Sequence, residues 1–283
     1  MSHESFDALV SFFHSVHARG WRAVVYRPML DWLYSYFGYR PEIHSVFTEA
    51  SELPEGLDLL ISLGGDGTFL DSAQYVLPRQ VPILGINFGH LGFLASGSTD
   101  NIGEVLDMVS RGEYDVERRV TAAVRLLREG APQSLTALND ITLQKNGKSM
   151  LIINVHIDGT FLCTYWCDGL IVSTPTGSTA YSLSVGGPIM LPAAATVLMS
   201  PIAPHNLGMR PLVLPDSAEI HLRATSRDPR MVLGVDAQQH TLSGAQDFTI
   251  ARGEHAVHVV RLRGDNFYTA LREKLNWGMD ARN

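Results

Sequence analysis

The segment Gly64-Gly65-Asp66-Gly67-Thr68 sets one carboxylate among three glycines. Glycine has no Cβ, so this backbone is free to take positive φ and to come close to a ligand. A glycine-rich turn between a strand and a helix exposes several N–H groups, which suits phosphate. Gly64, Gly65, Gly67 and Thr68 therefore form a candidate phosphate loop. An acid in such a loop would repel phosphate, so it needs a role of its own. Asp66 fits a general base that takes the proton of a hydroxyl attacking a phosphoryl group, or a carboxylate that orients a magnesium ion. The plainer alternative is a tight turn with Asp66 capping a helix, but three glycines around one acid are more than that requires.

Three further segments carry chemistry. Residues 168–181, DGLIVSTPTGSTAY, crowd small and hydroxyl side chains behind an apolar strand. Thr176 to Ser178 read as the entry to a short helix running through Thr179 to Ser184. Hydroxyls and free N–H groups at such an entry can hold a diphosphate or a ribose, and Tyr181 can stack on a base. The plainer alternative is a Ser/Thr-rich turn with caps. Residues 87–94, NFGHLGFL, make a close-approach loop at a strand end, as readily a packing turn as a site; His90 there, like His205 later, reads as structural rather than catalytic. At Asn139-Asp140, an amide can pair with an adenine edge and a carboxylate can accept from ribose hydroxyls. As a bare dipeptide it says little.

The elements that must position these residues change character along the chain. Phe6, Leu9, Val10, Phe13 and Val16 recur at helical spacing, with Gly20 as a stop. Short strands are expected at 21–26 and 43–47, and helices at 29–37 and 72–76. The run at 57–63, LDLLISL, reads as a strand buried on both faces, as in a parallel sheet, and 81–86 as another. Strands alternating with helices argue for an α/β layer. Beyond about residue 97, after a helix at 102–109, alternating strands dominate: 114–127, 138–144, 150–157, 218–223, 231–235, 248–251 and 256–262. Asp158-Gly159 is the strongest hairpin signal, since a type I′ turn needs positive φ at both central residues; Asn146-Gly147 is a second. The expected fold is an α/β N-terminal nucleotide-binding domain (1–97) followed by an all-β, antiparallel, sandwich-like domain (98–263). A helical tail, 264–283, should pack back on the first domain.

Composition bounds the rest. A chain of 283 residues suits about two domains. With 45% hydrophobic and 18% charged residues it can bury a sizeable core, unlike a disordered chain. A formal net charge of -7 argues against bulk nucleic-acid binding, so anionic nucleotides must be held by local N–H groups or a metal ion. The two cysteines, Cys163 and Cys167, are too few for a disulfide framework or an all-cysteine zinc site. Four apart on a strand they stand about 13 Å from each other, too far for a bridge. Both read as core thiols suited to a reducing cytoplasm. No apolar run is long enough for a membrane span, and Met1-Ser2-His3-Glu4 lacks the basic start of a signal peptide.

Taken together, these segments resemble the NAD kinase family, in the family's chain order. GGDGTFL, NFGHLGFL, LND and DGLIVSTPTGSTAYSLSVGGP carry the resemblance, with PIAPHNLGMRPLVLP and GVDAQ after them. DGLIVSTPTGSTAY is highly specific; GGDGT is shared with diacylglycerol kinases, sphingosine kinases and phosphofructokinases. The resemblance implies transfer of the γ-phosphoryl of ATP (or another donor) to the 2′-hydroxyl of the adenosine ribose of NAD, giving NADP. It implies Asp66 as the proton acceptor with Gly67 beside it on the nucleotide. By the same token Asn139 and Asp140 read adenine and ribose, and Asp168 meets the nicotinamide half. Thr176 and the run Thr179, Ala180, Tyr181, Ser182, Leu183 and Ser184 fall on the NAD-binding turn, and Gln238 on a late contact. The divalent metal, magnesium, is expected to ride on the ATP phosphates, with no protein metal cage. NAD and ATP are the expected partners, with neither nucleic acid nor membrane, in a cytoplasmic homodimer or homotetramer.

The sequence departs from that family at several points. Trp166 stands where a basic residue is usual two positions before Asp168, and Ser149 and Met150 stand where a polar or basic contact is expected. The second member of the Asn-acid pair is more often Glu. The chain opens directly on a helix where the family opens on a strand. A lipid kinase of the diacylglycerol or sphingosine type is the nearest alternative enzyme. A dinucleotide sensor without turnover is the alternative of another class, and an intact Asp66 argues against it.

Overall fold

The computed structural model describes residues 3–89, 92–126 and 133–278. The chain divides into two compact units, Met1–Glu117 with His258–Asn283, and Arg118–Val257.

The first unit is an α/β layer. In order it holds α1 (His3–Ala18), β1 (Val24–Tyr26), α2 (Arg27–Phe37), β2 (Ser45–Phe47), β3 (Leu60–Leu63), α3 (Asp66–Val76), β4 (Ile83–Asn87), β5 (Gly97–Ser98), α4 (Ile102–Arg111) and the first four residues of β6 (Tyr114–Arg119), whose last two belong to the second unit. The helical spacing of Leu9, Phe13 and Val16 puts one face of α1 into a core shared with Val105 and Leu106 of α4 and Leu84 and Ile86 of β4. Val105 and Leu106 are fully buried there, and truncating Leu106 to Ala costs about 2–5 kcal/mol, the usual range for a large core side chain. Gly20 takes positive φ just past α1.

Strand order in the main sheet is β3-β4-β19-β6, with β5 beside β4 and β19 spanning Val257–Leu262. β3 and β19 both pair with β4 in parallel. This corrects two expectations. The run at 57–63 narrows to Leu60–Leu63 and is only half-buried, because β3 is the edge strand; β4 is the strand buried along its whole length. Residues 256–262 do not continue the β domain but return to the first unit's sheet. Val259 and Val260, neighbours on opposite faces, are both fully buried, as a central parallel strand requires. The boundary expected near 97 lies at 117/118, since α4 is anchored in the first core. The tail forms α6 (Phe267–Leu275) within the first unit.

Among the described residues the second unit's strands all pair antiparallel. Its strands are β7 (Ala122–Leu126), β8 (Gln133–Ala137), β9 (Asp140–Lys145), β10 (Leu151–Ile157), β11 (Thr160–Cys167), β12 (Gly169–Ser173), β13 (Thr196–Ile202), β14 (Leu212–Pro215), β15 (Ile220–Ser226), β16 (Arg230–Val235), β17 (Gln238–Ser243) and β18 (Gln246–Arg252), with one short helix, α5 (Tyr181–Ser184). They form two six-stranded sheets, β11-β10-β15-β18-β7-β8 and β14-β13-β12-β9-β16-β17. Alternating side chains of both, among them Val124, Ile153 and Phe248 from one and Leu143, Leu170 and Leu233 from the other, share one core.

Asp158 and Gly159 both take positive φ and close the β10–β11 hairpin, as the dipeptide predicts. Asn146-Gly147 makes no hairpin. β9 and β10, on its two sides, belong to different sheets, and neither residue takes positive φ. Gly147 is bare for another reason: a Cβ there would run into the Asp228 carboxylate.

Candidate active site

Asp66 and the phosphate loop lie in the first unit, at the carboxyl end of β3, where ligands of parallel sheets collect. The helix begins at Asp66, earlier than the expected residue 72. Its N-cap is Gly65, in extended backbone, with no side-chain cap. Asp66 therefore does not cap its own helix. Its carboxylate instead accepts the backbone N–H of Phe93 at 2.8 Å and of Leu94 at 3.2 Å. A Cβ on Gly92 would overlap that carboxylate, so the loop approaches Asp66 as closely as it does only because residue 92 is bare. The weak NFGHLGFL motif thus acquires a purpose, which is to grip the acid. His90 and Leu91 of that motif lie outside the described residues.

The three glycines serve by bareness alone. None of Gly64, Gly65 and Gly67 takes positive φ, which corrects that part of the expectation. A Cβ on Gly64 would collide with Thr68, whereas a Cβ on Gly65 or Gly67 would meet no protein atom within 4 Å. The last two leave open space beside the acid at a helix N-terminus, where backbone N–H groups and the helix dipole favour an anion.

The remaining candidate residues lie in the second unit. Pairing of β9 with β12 sets Asp140 opposite Ser173 at the strand ends. The DGLIVSTPTGSTAY segment then folds against Asn139. Thr174 N–H donates to Asn139 O at 2.9 Å, Thr174 Oγ1 donates to Leu138 O at 2.5 Å, and Gly177 must be bare because the Asn139 backbone occupies its Cβ position. The expected helix entry is a 3₁₀ turn, Thr176–Thr179, followed by α5. Most of its hydroxyls are committed internally. Ser178 Oγ donates to Pro175 O at 2.8 Å and accepts Met190 N–H at 2.9 Å; Ser182 Oγ bonds Ser200 Oγ at 2.9 Å. Thr179 Oγ1 reaches Thr176 O at 3.4 Å, and Arg119 reaches Thr176 Oγ1 at 3.5 Å. Tyr181 and Ser184 are exposed, and Thr179, Ala180 and Leu183 half-buried.

Asp236 is the organising residue that motif reading passed over, although it stands inside GVDAQ. It takes φ of 51° in the turn between β16 and β17. Its carboxylate accepts the N–H of Leu138 and Asn139 at 2.8 Å and of Asp140 at 3.2 Å. Its own N–H donates to Asp140 O at 3.0 Å, and Gln238 follows two residues later, exposed at the start of β17. Asp140 is 6% exposed. Burial, and then the negative charge of Asp236, push its carboxyl up to about 7.

Asp168 pairs with Lys145 Nζ at 2.6 Å, both side chains about one-third exposed. Trp166, two residues upstream, is half exposed. Its carbonyl accepts the His205 N–H at 2.8 Å; the His205 side chain is exposed. Ser149 and Met150 are half-buried beside β10. Cys163 and Cys167 are free. Among the described residues no group of three or more His, Cys, Asp or Glu is arranged to hold a metal ion, and no helix is long and apolar enough to cross a membrane.

Comparison with known proteins places the chain. Residues 35–114 match the ATP-NAD kinase N-terminal domain and residues 138–262 the ATP-NAD kinase C-terminal domain. The NAD kinase of Bacteroides fragilis (strain ATCC 25285) is 42% identical over 226 residues, 80% of this chain and 78% of that one. The NAD kinase of Gemmatimonas aurantiaca is 40% identical over 246 residues, 85% of each chain. Among solved structures, yeast NADH kinase complexed with NADH superposes with a TM-score of 0.86 at 27% identity, covering 98% of this chain and 85% of that one. An NAD kinase from Archaeoglobus fulgidus in complex with ATP gives 0.69 at 28% identity, covering 90% and 98%. With both domain patterns in chain order and close relatives over most of its length, this chain belongs to the ATP-NAD kinase family.

Proposed function

We propose that this chain is an NAD kinase in which Asp66 is the general base. It moves the γ-phosphoryl of ATP to the 2′-hydroxyl of the adenosine ribose of NAD, giving NADP. The family supports the reaction. The observation that carries the residue assignment is the grip on Asp66: two backbone N–H groups aim its carboxylate while Gly65 and Gly67 leave space beside it. A carboxylate so oriented accepts the hydroxyl proton as the ribose oxygen bonds to the γ-phosphorus and the bond to the β–γ bridging oxygen breaks.

In this reading Asn139 pairs with adenine, Asp140 accepts from the ribose hydroxyls, and Tyr181 stacks on a ring of the dinucleotide. Asp168 meets the nicotinamide half. Thr176, Thr179, Ala180, Ser182, Leu183 and Ser184 shape the turn beneath NAD, and Gln238 makes a late contact. Gly64, Gly65, Gly67 and Thr68 face phosphate. A magnesium ion carried on the ATP phosphates would neutralise their charge. The same reading includes a cytoplasmic location, in keeping with the free thiols, and a homo-oligomeric assembly.

The test is product identity. Incubated with NAD, ATP and magnesium, the protein should form NADP carrying its new phosphate on the adenosine-ribose 2′-oxygen, read by phosphorus NMR. Nucleotide binding without NADP would favour a sensor. Phosphorylation of diacylglycerol or sphingosine in place of NAD would favour a lipid kinase.

A further inference from the structure

The tail helix α6 carries a cation that phosphoryl transfer by Asp66 alone leaves unused. Its root is tied to the segment that grips Asp66. Asp265 Oδ2 accepts the Ser96 hydroxyl at 2.7 Å, and the Asn266 side chain caps α6 by accepting Thr269 N–H at 3.0 Å. Arg261 donates to Phe93 O at 2.9 Å and to Ser96 Oγ at 3.2 Å, and the Phe93 and Phe267 rings stand 6.2 Å apart. These ties bring Lys274, in the last turn of α6, over the Phe93 ring, with Nζ 4.6 Å from its centroid. Phe93 is the residue whose N–H holds Asp66.

Lys274 is half-buried, yet among the described residues no carboxylate lies in ion-pair reach of its ammonium and no hydrogen bond to it is made. Arg261, the neighbouring cation, is committed to Glu117, Asp265, Ser96 and the Phe93 carbonyl. Lys274 is thus the uncommitted positive charge next to the acid. A half-buried ammonium without a counter-ion is costly to keep, and such groups mark sites that receive an anion. Four charged groups act on it. Asp66, Asp265 and Glu273 favour its charge and Arg261 opposes it, but burial dominates and pushes the amine down to about 8. An aromatic face alone is a weak partner for an ammonium.

We propose that Lys274 is a second catalytic residue, whose ammonium contacts the phosphoryl group in transit beside Asp66. This rests on the reading of the chain as an NAD kinase. Asp66 takes the hydroxyl proton, the ribose oxygen bonds to the γ-phosphorus, and the electron pair of the broken bond leaves with ADP. Lys274 keeps its proton throughout and offsets the charge on the equatorial oxygens, in the way fixed positive charges serve phosphoryl transfer. The competing role is a pin that merely docks α6 on Phe93.

The test compares wild type, Lys274→Met and Lys274→Arg by NADP formation against pH, by equilibrium binding of NAD, and by thermal melting. Met keeps the apolar stem, so a pin that only packs would survive it. The expected result for Lys274→Met is a loss of about 10²-fold in kcat, the scale of a lost charge-stabilising donor, with NAD affinity within about threefold and the melt preserved. Wild-type kcat should fall above about pH 8, as the amine loses its proton, and that alkaline limb should vanish in Lys274→Met. Lys274→Arg, which restores the charge, should recover at least about tenfold. Should Lys274→Met fail to fold, the wild-type limb and the shift of that limb to higher pH in Lys274→Arg decide the matter. A Lys274→Met enzyme within twofold of wild type, or a wild-type profile flat to pH 10, would overturn the proposal. Wild type forming no NADP at all would instead overturn the functional reading, and Lys274 with it.

Discussion

The Asp66 loop and the Asn139–Asp140 frame organise their carboxylates by opposite means. Around Asp66 the chain removes matter: Gly92 lets a loop close on the carboxylate, and Gly65 and Gly67 leave a gap beside it. Around Asp140 the chain fills space. The hydroxyls of Thr174, Ser178 and Ser182 are consumed inside the fold, and a second carboxylate, Asp236, is spent on three backbone N–H groups. The first arrangement suits a group that must act on a substrate. The second suits a rigid wall that must recognise one. Polar residues in a signature motif can therefore be there for the frame, which leaves backbone groups and exposed neighbours such as Tyr181 free for the contact proposed above.

That contrast can be broken at four places. The largest effect is expected at Gly92. An added methyl displaces the Asp66 carboxylate from its two N–H donors, so Gly92→Ala should lower kcat by about 10²-fold, the scale of a lost general base. Its melt and NAD affinity should stay near wild type. A Gly92→Ala enzyme with normal kcat would show that the grip on Asp66 is dispensable.

Asp140 comes next. Its folded-state carboxyl lies above the ordinary carboxylate value, so the folded chain holds the proton more tightly than the unfolded one. Stability is then full below about pH 4 and declines as pH rises toward about 7, by an amount on the order of 2–4 kcal/mol. Asp140→Asn should accordingly melt higher than wild type at pH 8 and alike at pH 4. On the proposed role of Asp140 as the ribose acceptor, NAD binding needs its ionised form, so the KM for NAD of wild type should fall between pH 6 and pH 8, and that of Asp140→Asn should not. Equal melts at pH 8 would remove the buried-acid argument.

Asp236→Ala should cost about 1–3 kcal/mol in denaturant unfolding, since it orphans backbone N–H groups while relieving Asp140. It should raise the KM for NAD through the loosened Asn139–Asp140 turn. A variant with unchanged stability and KM would reduce Asp236 to a passive turn residue. The smallest effect belongs to Tyr181→Ala, a rise of a few-fold in the KM for NAD with little change in kcat, as expected for a ring that only stacks. A change confined to kcat would contradict stacking.

Local chemistry was legible in the sequence; long-range partners were not. Asp158-Gly159 names its own turn because both residues must adopt positive φ. Asn146-Gly147 carries a turn dipeptide of the same kind yet crosses between sheets, because the strands flanking it are claimed by different partners. The apolar alternation at 257–262 reads as one more strand, but nothing local says that it leaves the β domain to pair with β4. Asp66 stands out among glycines. Its grip by Phe93 and Leu94, 27 and 28 residues away, depends on β3 and β4 lying side by side. Asp236 and Lys274 escaped for the same reason, since each acts on residues far from it in the chain.

The most direct measurement is a single-turnover comparison of wild type and Asp66→Asn, with NAD binding determined separately at equilibrium. Removal of the proton acceptor alone should leave NAD affinity within a few-fold and slow phosphoryl transfer by at least about 10²-fold. Transfer at the wild-type rate in Asp66→Asn would contradict the assignment of Asp66 as the base.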